Sequence, residues 1–373
     1  MDRLIYAASE QCADLWYESG FSAPDPFLWF EVDGQRHIVV SALEVGRAMK
    51  QARGDVEVIS FAEAKKRWGI SEKSSMPTEE VIVAMSSTLG VKSWEVPADF
   101  PFGLAEKLQR SGLALTSCEM FSPTRQQKTV SEVEKIKAAI RMTEKGLERA
   151  YGILREATVG RDGVLEWNGS VLTAEALGAE INIAIARLGG NAAGTITASG
   201  QQGADPHCQG FGPIHADEPI VMDVFPRDGR TGYFGDLTRT VVKGTASDIV
   251  RKTYETVRKA QRLAFGMIRA GVPGSEPHLA VEAFFAKSGF DTDKAASPAR
   301  GFFHGLGHGI GLEIHEGLSL SPRNPKPLEA GNVVTVEPGL YYPEWGGIRI
   351  EDDVLVTENG CEKLSNLPVF LEI

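Results

Sequence analysis

Cysteine is scarce in this chain and never closely paired. The 373 residues hold four (Cys12, Cys118, Cys208 and Cys361), with no Cys-x-x-Cys spacing. That argues against a disulfide scaffold and a thiolate zinc site, and it fits a reducing, cytoplasmic setting. Long apolar runs are also missing. No stretch reaches the ~18 residues that a membrane span needs. The opening Met-Asp-Arg-Leu-Ile-Tyr has no apolar core of the secretory kind. A basic excess is absent as well: the formal net charge is -11, which disfavours nucleic acid or anionic lipid as a partner. What is there is ordinary for an enzyme, with 42% hydrophobic and 24% charged residues. The length favours two domains.

Residues 1–126 read as a small α/β domain. An apolar stretch at 26–31, the turn pair Asp33-Gly34 and a second stretch at 36–41 predict a hairpin. Helices are expected at 43–52, 61–68, 78–89 and 102–110, and strands at 56–60 and 113–117. Residues 121–128 look like a linker into a second domain, 127–373. There Ser131 and Glu134 match a capping box, opening a helix with Ile136, Ile140 and Leu147 on one face. A second helix at 173–188 and strands at 195–198, 219–225 and 233–242 follow. The order then recurs: a helix capped by Ser247, another at 275–287, and strands at 332–337 and 347–357. This predicts two similar halves whose strands meet in one curved sheet, with the helices outside.

Each half carries a pair of acids at the ends of apolar strands. Asp223 and Asp236 are 13 positions apart; Glu337 and Glu351 are 14 apart. A carboxylate ending an apolar strand is costly to bury unpaired. Four brought together would repel and take up protons unless cations neutralise them. Between the pairs, Phe303 to Glu316 carries three of the seven histidines: His304, His308 and His315. Its glycines, Gly305, Gly307, Gly309 and Gly311, suit close backbone approach. A phosphate loop is the rival reading, but no Walker lysine is present and no helix start follows. His207 is a further candidate, His215 is undecided, and His37 and His278 read as structural. Carboxylates plus imidazole form a hard, oxygen-rich set suited to Mn(II), Co(II), Fe(II) or Zn(II). Two such ions could share bridging carboxylates and activate water. Side-chain alternation puts Arg349 on the face of Glu351, where it can orient a carboxylate.

At these residues the chain resembles the pita-bread metallopeptidases: Xaa-Pro aminopeptidases, Xaa-Pro dipeptidases, methionine aminopeptidases and creatinase. The resemblance rests on five motifs in order. They are Ala198-Ser-Gly with Pro206-His207, Met222-Asp223 with Gly235-Asp-Leu-Thr-Arg-Thr, Gly307-His-Gly-Ile-Gly-Leu-Glu-Ile-His-Glu, Val336-Glu-Pro-Gly-Leu-Tyr, and Gly347-Ile-Arg-Ile-Glu-Asp. Residues 15–21 and the hairpin after them resemble, more loosely, a creatinase-type N-terminal domain.

The resemblance implies an α/β pita-bread catalytic domain preceded by a smaller α/β domain. It implies Asp223, Asp236, His308, Glu337 and Glu351 as ligands of two divalent ions, with Asp236 and Glu351 bridging. Glu337 would also handle the proton of an attacking metal-bridging hydroxide or water. His207, His304 and His315 would line the substrate pocket, Arg349 would stand beside the last ligand, and Tyr341 near the metals. The implied activity is hydrolysis of the N-terminal Xaa-Pro bond of dipeptides or peptides, by a homodimer. A related aminopeptidase without proline specificity, or a pita-bread module that binds peptide or protein without catalysis, is the alternative. One departure stands out: the usual Asp-x-Gly reads Asp223-Val-Phe, so that Phe225 replaces a small residue.

Overall fold

The run Phe27-Leu-Trp-Phe is apolar at every position because its strand is covered on both faces. In the computed structural model, which describes residues 2–373, Phe27–Val32 lies inside a six-stranded sheet. The strand order is Val56–Ser60, Gln35–Val40, Phe27–Val32, Arg3–Ala7, Ser93–Pro97, Ala114–Cys118. The first hairpin pairs are antiparallel and the outer additions parallel. Successive side chains of a strand face opposite ways. Leu28 and Phe30 therefore pack with Trp68, Ile82 and Met85 of the helices Phe61–Trp68 and Thr78–Leu89. Phe27 and Trp29 pack on the other side with Leu15 and Ala48 of the helices Ala13–Ser19 and Val45–Gln51. The opening residues, for which the sequence predicted no element, supply the strand Arg3–Ala7 near the middle of this sheet.

The chain divides into two compact units between Pro123 and Thr124. The second begins with the 27-residue helix Val130–Glu156. Its capping box is Thr129 with Glu132, not Ser131 with Glu134: the Thr129 side chain accepts the Glu132 N–H, and the Thr129 N–H donates to Glu132 Oε2 at 2.9 Å. Both pairs have the box spacing. Anchoring of the preceding residue, whose Lys128 N–H donates to Gly331 O at 2.7 Å, sets the start at Thr129.

Helix Ala174–Ala186, capped by Thr173, completes the helical layer of the first half. Its sheet orders Ile196–Ser199, Pro219–Val224 and Leu237–Val242, all antiparallel. The second half repeats the plan. Asp248–Met267, capped by Ser247, and Ser275–Lys287 precede a sheet of Val333–Val336, Asp352–Val356 and Cys361–Lys363. The hairpin Gly339–Tyr342 with Gly346–Arg349 lies between the last pieces. The expected strand 347–357 is thus broken at Ile350 and Glu351. The break is where the halves join: the Glu351 N–H donates to Thr238 O at 3.0 Å, and the Arg349 N–H donates to Thr240 Oγ1 at 3.1 Å. No helix among the described residues is long and apolar enough to cross a membrane.

Candidate metal centre

Asp223 sits in the strand Pro219–Val224, opposite Ile196 on one neighbour and Thr238 on the other. Asp236, Glu337 and Glu351 each lie one residue outside a strand, where the chain turns its last side chain into the junction of the halves. The fifth residue, His308, ends the short strand Gly307–His308. This strand is pressed so closely on Val333–Val336 that a Cβ at Gly307 would fall 1.9 Å from Thr335 O. A Cβ at Gly309 would fall 2.1 Å from Glu316 O. Close approach is therefore what these glycines provide. It brings the His308 N–H to Thr335 Oγ1 at 3.1 Å.

The structure brings all five residues to one cleft of about 780 Å³, which His207, His304, His315 and Arg349 also line. Asp236, His308 and Glu351 offer ligand atoms mutually within 4.8 Å. His308 Nε2 lies 3.7 Å from Asp236 Oδ2 and 3.5 Å from Glu337 Oε1. Its Nδ1 is 3.2 Å from the Gly309 carbonyl, which can only accept, so Nδ1 carries the proton and Nε2 presents its lone pair. Burial, and then neighbouring His315, push this imidazole down to about 4, so it is neutral in neutral solution.

The acids behave as a crowded set. Burial, then the charges of Glu351 and Asp223, push the Asp236 carboxyl far above the usual range. Burial, then Glu337 and Asp223, do the same to Glu351. Burial raises Glu337 to about 7. Three carboxylate oxygens, Asp223 Oδ1, Asp236 Oδ1 and Glu351 Oε1, are buried without a hydrogen-bond partner. In two of the three the opposite oxygen is engaged: Asp223 Oδ2 accepts from Arg349 Nη2 at 2.6 Å, and Glu351 Oε2 accepts from Thr238 Oγ1 at 2.6 Å. Orphaned acceptors around a neutral imidazole form a donor set that divalent cations fit.

Arg349 organises one side of the cleft. Besides Asp223, its Nε donates to Thr238 Oγ1 at 3.0 Å and its Nη1 to Tyr341 Oη at 2.8 Å. His304 stands beyond Tyr341. Its Nδ1 is 2.6 Å from the Gly305 carbonyl, so Nδ1 donates there, and its Nε2 accepts from the Tyr341 hydroxyl at 2.9 Å. Both ring nitrogens of His304 are therefore used within the protein. His207 and His315 are exposed on the cleft walls, and the His315 ring meets that of His308 edge-on at 4.2 Å. His37 and His278 lie away from the cleft, paired with Glu57 and packed on Phe302 respectively. His215 forms an isolated bridge with Val164.

The sequence reading passed over several residues here. Asp353 is buried, and its Oδ2 accepts the Asp236 N–H at 3.0 Å. Thr238 and Thr335 tie Glu351 and Glu337 down. Alternation held the signal for two of these: Asp353 shares the parity of Glu351, and Thr238 that of Asp236. The opposite parity supplies a buried ion pair, Arg239 Nη2 to Asp352 Oδ1 at 2.7 Å, under the site. Glu316, read only as the end of a motif, is a keystone. Its Oε1 holds Lys128 Nζ at 2.5 Å, its Oε2 holds Arg125 Nη2 at 2.6 Å, and it accepts the Leu312 N–H at 3.0 Å.

The sequence profile of metallopeptidase family M24 matches residues 134–358. An uncharacterised peptidase of Bacillus subtilis is 42% identical over 173 residues, 46% of each chain, so this chain spans about half the length of that relative. An Xaa-Pro dipeptidase of Pyrococcus horikoshii is 26% identical over 313 residues, 83% of this chain and 82% of its own. The crystal structure of an X-Pro aminopeptidase from Thermotoga maritima is similar over 100% of this chain and 97% of that one, with a TM-score of 0.82 and 25% identity.

Proposed function

The chain belongs to metallopeptidase family M24, and from that premise we propose that it is an exopeptidase using two metal ions to hydrolyse the N-terminal Xaa-Pro bond of dipeptides or short peptides. Its fold is the pita-bread arrangement with a smaller α/β unit ahead of it. The observation that carries the proposal is the trio of buried, unpartnered carboxylate oxygens on Asp223, Asp236 and Glu351 beside His308 Nε2. An empty-handed buried acceptor costs about 1–3 kcal/mol. Three of them clustered favour a site built for cations over a purely structural one.

In this reading Asp223, Asp236, His308, Glu337 and Glu351 hold two ions among manganese, cobalt, zinc and iron. The ions would supply Lewis acidity, polarising the scissile carbonyl and making water a competent nucleophile near neutral pH. The side chains do the rest. Glu337 would take a proton from the attacking water and return it to the departing proline nitrogen. Arg349 fixes Asp223 by its charge-assisted hydrogen bond at 2.6 Å. His207 and His315, exposed in the cleft, donate to the substrate carbonyl and leaving group. With both nitrogens occupied, His304 is a positioning residue that holds Tyr341. The unit ending at Pro123 is, in the same reading, the creatinase-like N-terminal domain.

The test is to strip the purified protein with chelator, restore Mn(II) or Co(II), and assay Xaa-Pro dipeptides, longer Xaa-Pro peptides and their Xaa-Ala counterparts. About two ions per chain and metal-stimulated, proline-selective release of Xaa is expected. Absence of turnover on every peptide with every metal refutes the reading.

A further inference from the structure

Phe225 is the residue by which this chain departs from the Asp-x-Gly pattern, and the fold has made room for it. Asp223, Phe225 and Arg227 are partly exposed, alternating with buried Val224, Pro226 and Asp228. Phe225 therefore faces the same side as Asp223 and lines the same cleft. The chain beyond it closes through a tight turn, in which the Asp228 N–H donates to Tyr233 O at 2.9 Å and the Gly232 N–H to Asp228 O at 2.8 Å. The ring rests on Gly194, whose φ is +88°. A Cβ at Gly194 would lie 3.2 Å from Phe225 Cζ. Only glycine takes that backbone conformation without strain and leaves the ring its seat. Ile196, the cross-strand partner of Asp223, continues the apolar wall beside Gly194 and Phe225.

We propose that Phe225, seated on Gly194 and flanked by Ile196, is the specificity-determining wall for the side chain of Xaa, selecting a bulky apolar residue at the substrate N-terminus. The inference rests on the Xaa-Pro reading above. Two positions along a strand span roughly 7 Å. The extended side chain of a phenylalanine at the substrate N-terminus approaches that distance from the scissile carbonyl, whereas a proline ring, bonded to that carbonyl through its nitrogen, is too compact to do so. An apolar side chain laid on the ring loses water-exposed surface; a hydrogen at the same place leaves the ring wet. A difference of one or two methylenes in an apolar pocket discriminates by about 10-fold or more.

The experiment compares kcat/KM for Phe-Pro, Leu-Pro, Lys-Pro and Gly-Pro in the wild type, Phe225→Ala and Phe225→Leu, each loaded with Mn(II). Ratios between substrates are read, because they cancel differences in folded or metal-loaded fraction. The wild type favours Phe-Pro over Gly-Pro by about tenfold or more; Phe225→Ala loses about tenfold of that ratio, and Phe225→Leu keeps most of it. A ratio unchanged in Phe225→Ala, or a wild-type preference for Lys-Pro over Phe-Pro, overturns the proposal. Failure of the wild type to cleave any Xaa-Pro peptide refutes the function reading instead. The subsite is then read without turnover, from the thermal shift that Phe-Pro and Gly-Pro give the metal-free protein. A larger shift with Phe-Pro that disappears in Phe225→Ala upholds the wall, and equal shifts overturn it.

Discussion

Replacing Thr238 by valine removes a hydroxyl while keeping the volume of a fully buried side chain. That hydroxyl accepts from Arg349 Nε at 3.0 Å and donates to Glu351 Oε2 at 2.6 Å. It is the single atom joining the arginine that orients Asp223 to the acid expected to bridge two ions. Each hydrogen bond to a charged group contributes about 1.5–3 kcal/mol. Arg349 keeps its bonds to Asp223 and Tyr341, so the loss falls mainly on Glu351, which becomes free to rotate away. A loss of about 2 kcal/mol at one ligand corresponds to about 30-fold in metal affinity. This lies within the roughly 10–100-fold that outer-shell partners of metal ligands generally carry. The assay is calorimetric titration of metal-free protein with Mn(II) in competition with a chelator. Thr238→Ser, which retains the hydroxyl, should stay within about threefold of wild type. Thr238→Val binding Mn(II) within about twofold of wild type would refute the argument that this hydroxyl positions the ligand.

Burial alone would raise the Glu316 carboxyl, but Lys128 and Arg125 outweigh it and hold the group below its ordinary 4.5. A depressed folded-state value means that the stability it confers is present above about 4.5 and is lost as pH falls through the folded value. Glu316→Gln should cost about 3 kcal/mol at neutral pH, because Lys128 is left buried and unpaired, and urea titrations should show that acidification costs the variant less than the wild type. Gly307→Ala should lower soluble yield and melting temperature sharply, since its Cβ meets the backbone oxygen of Thr335 at 1.9 Å; a wild-type melting curve would contradict the close-packed reading of that strand. Arg349→Lys keeps the charge but cannot make the bonds to Asp223, Tyr341 and Thr238 together, so kcat/KM should fall about 100-fold in peptide hydrolysis assays, and a loss under about threefold would count against its orienting role.

Much of the centre was legible because the chemistry is concentrated in residue type. Acids that end apolar strands, and a histidine run spaced by glycine, are both costly unless something pays for them. What stayed hidden was neutral or ordinary in sequence. Thr238 and Thr335 look like common strand threonines, and Glu316 looks like one more exposed acid. Asp353 carried a parity signal beside Glu351, yet nothing local tells which of two adjacent acids turns to Asp236 and which, like Asp352, turns to Arg239. The helix start went astray for a related reason: Thr129 and Ser131 both begin a capping pattern, and the choice is made by a backbone hydrogen bond to Gly331, about 200 residues away.

The sequence by itself determined the kind of site: acids at the ends of apolar strands and a histidine run between them, carried by two halves of like order. Strand and helix periods are local properties, and so is the cost of burying charge. Only the tertiary structure decided how these side chains are held. The register that sets Asp223 opposite Thr238, the break at Glu351 that joins the halves, and the occupation of both His304 nitrogens depend on contacts between distant segments. So does the seat that Gly194 gives Phe225. Such contacts leave no trace in local spacing, because each partner alone is compatible with many others.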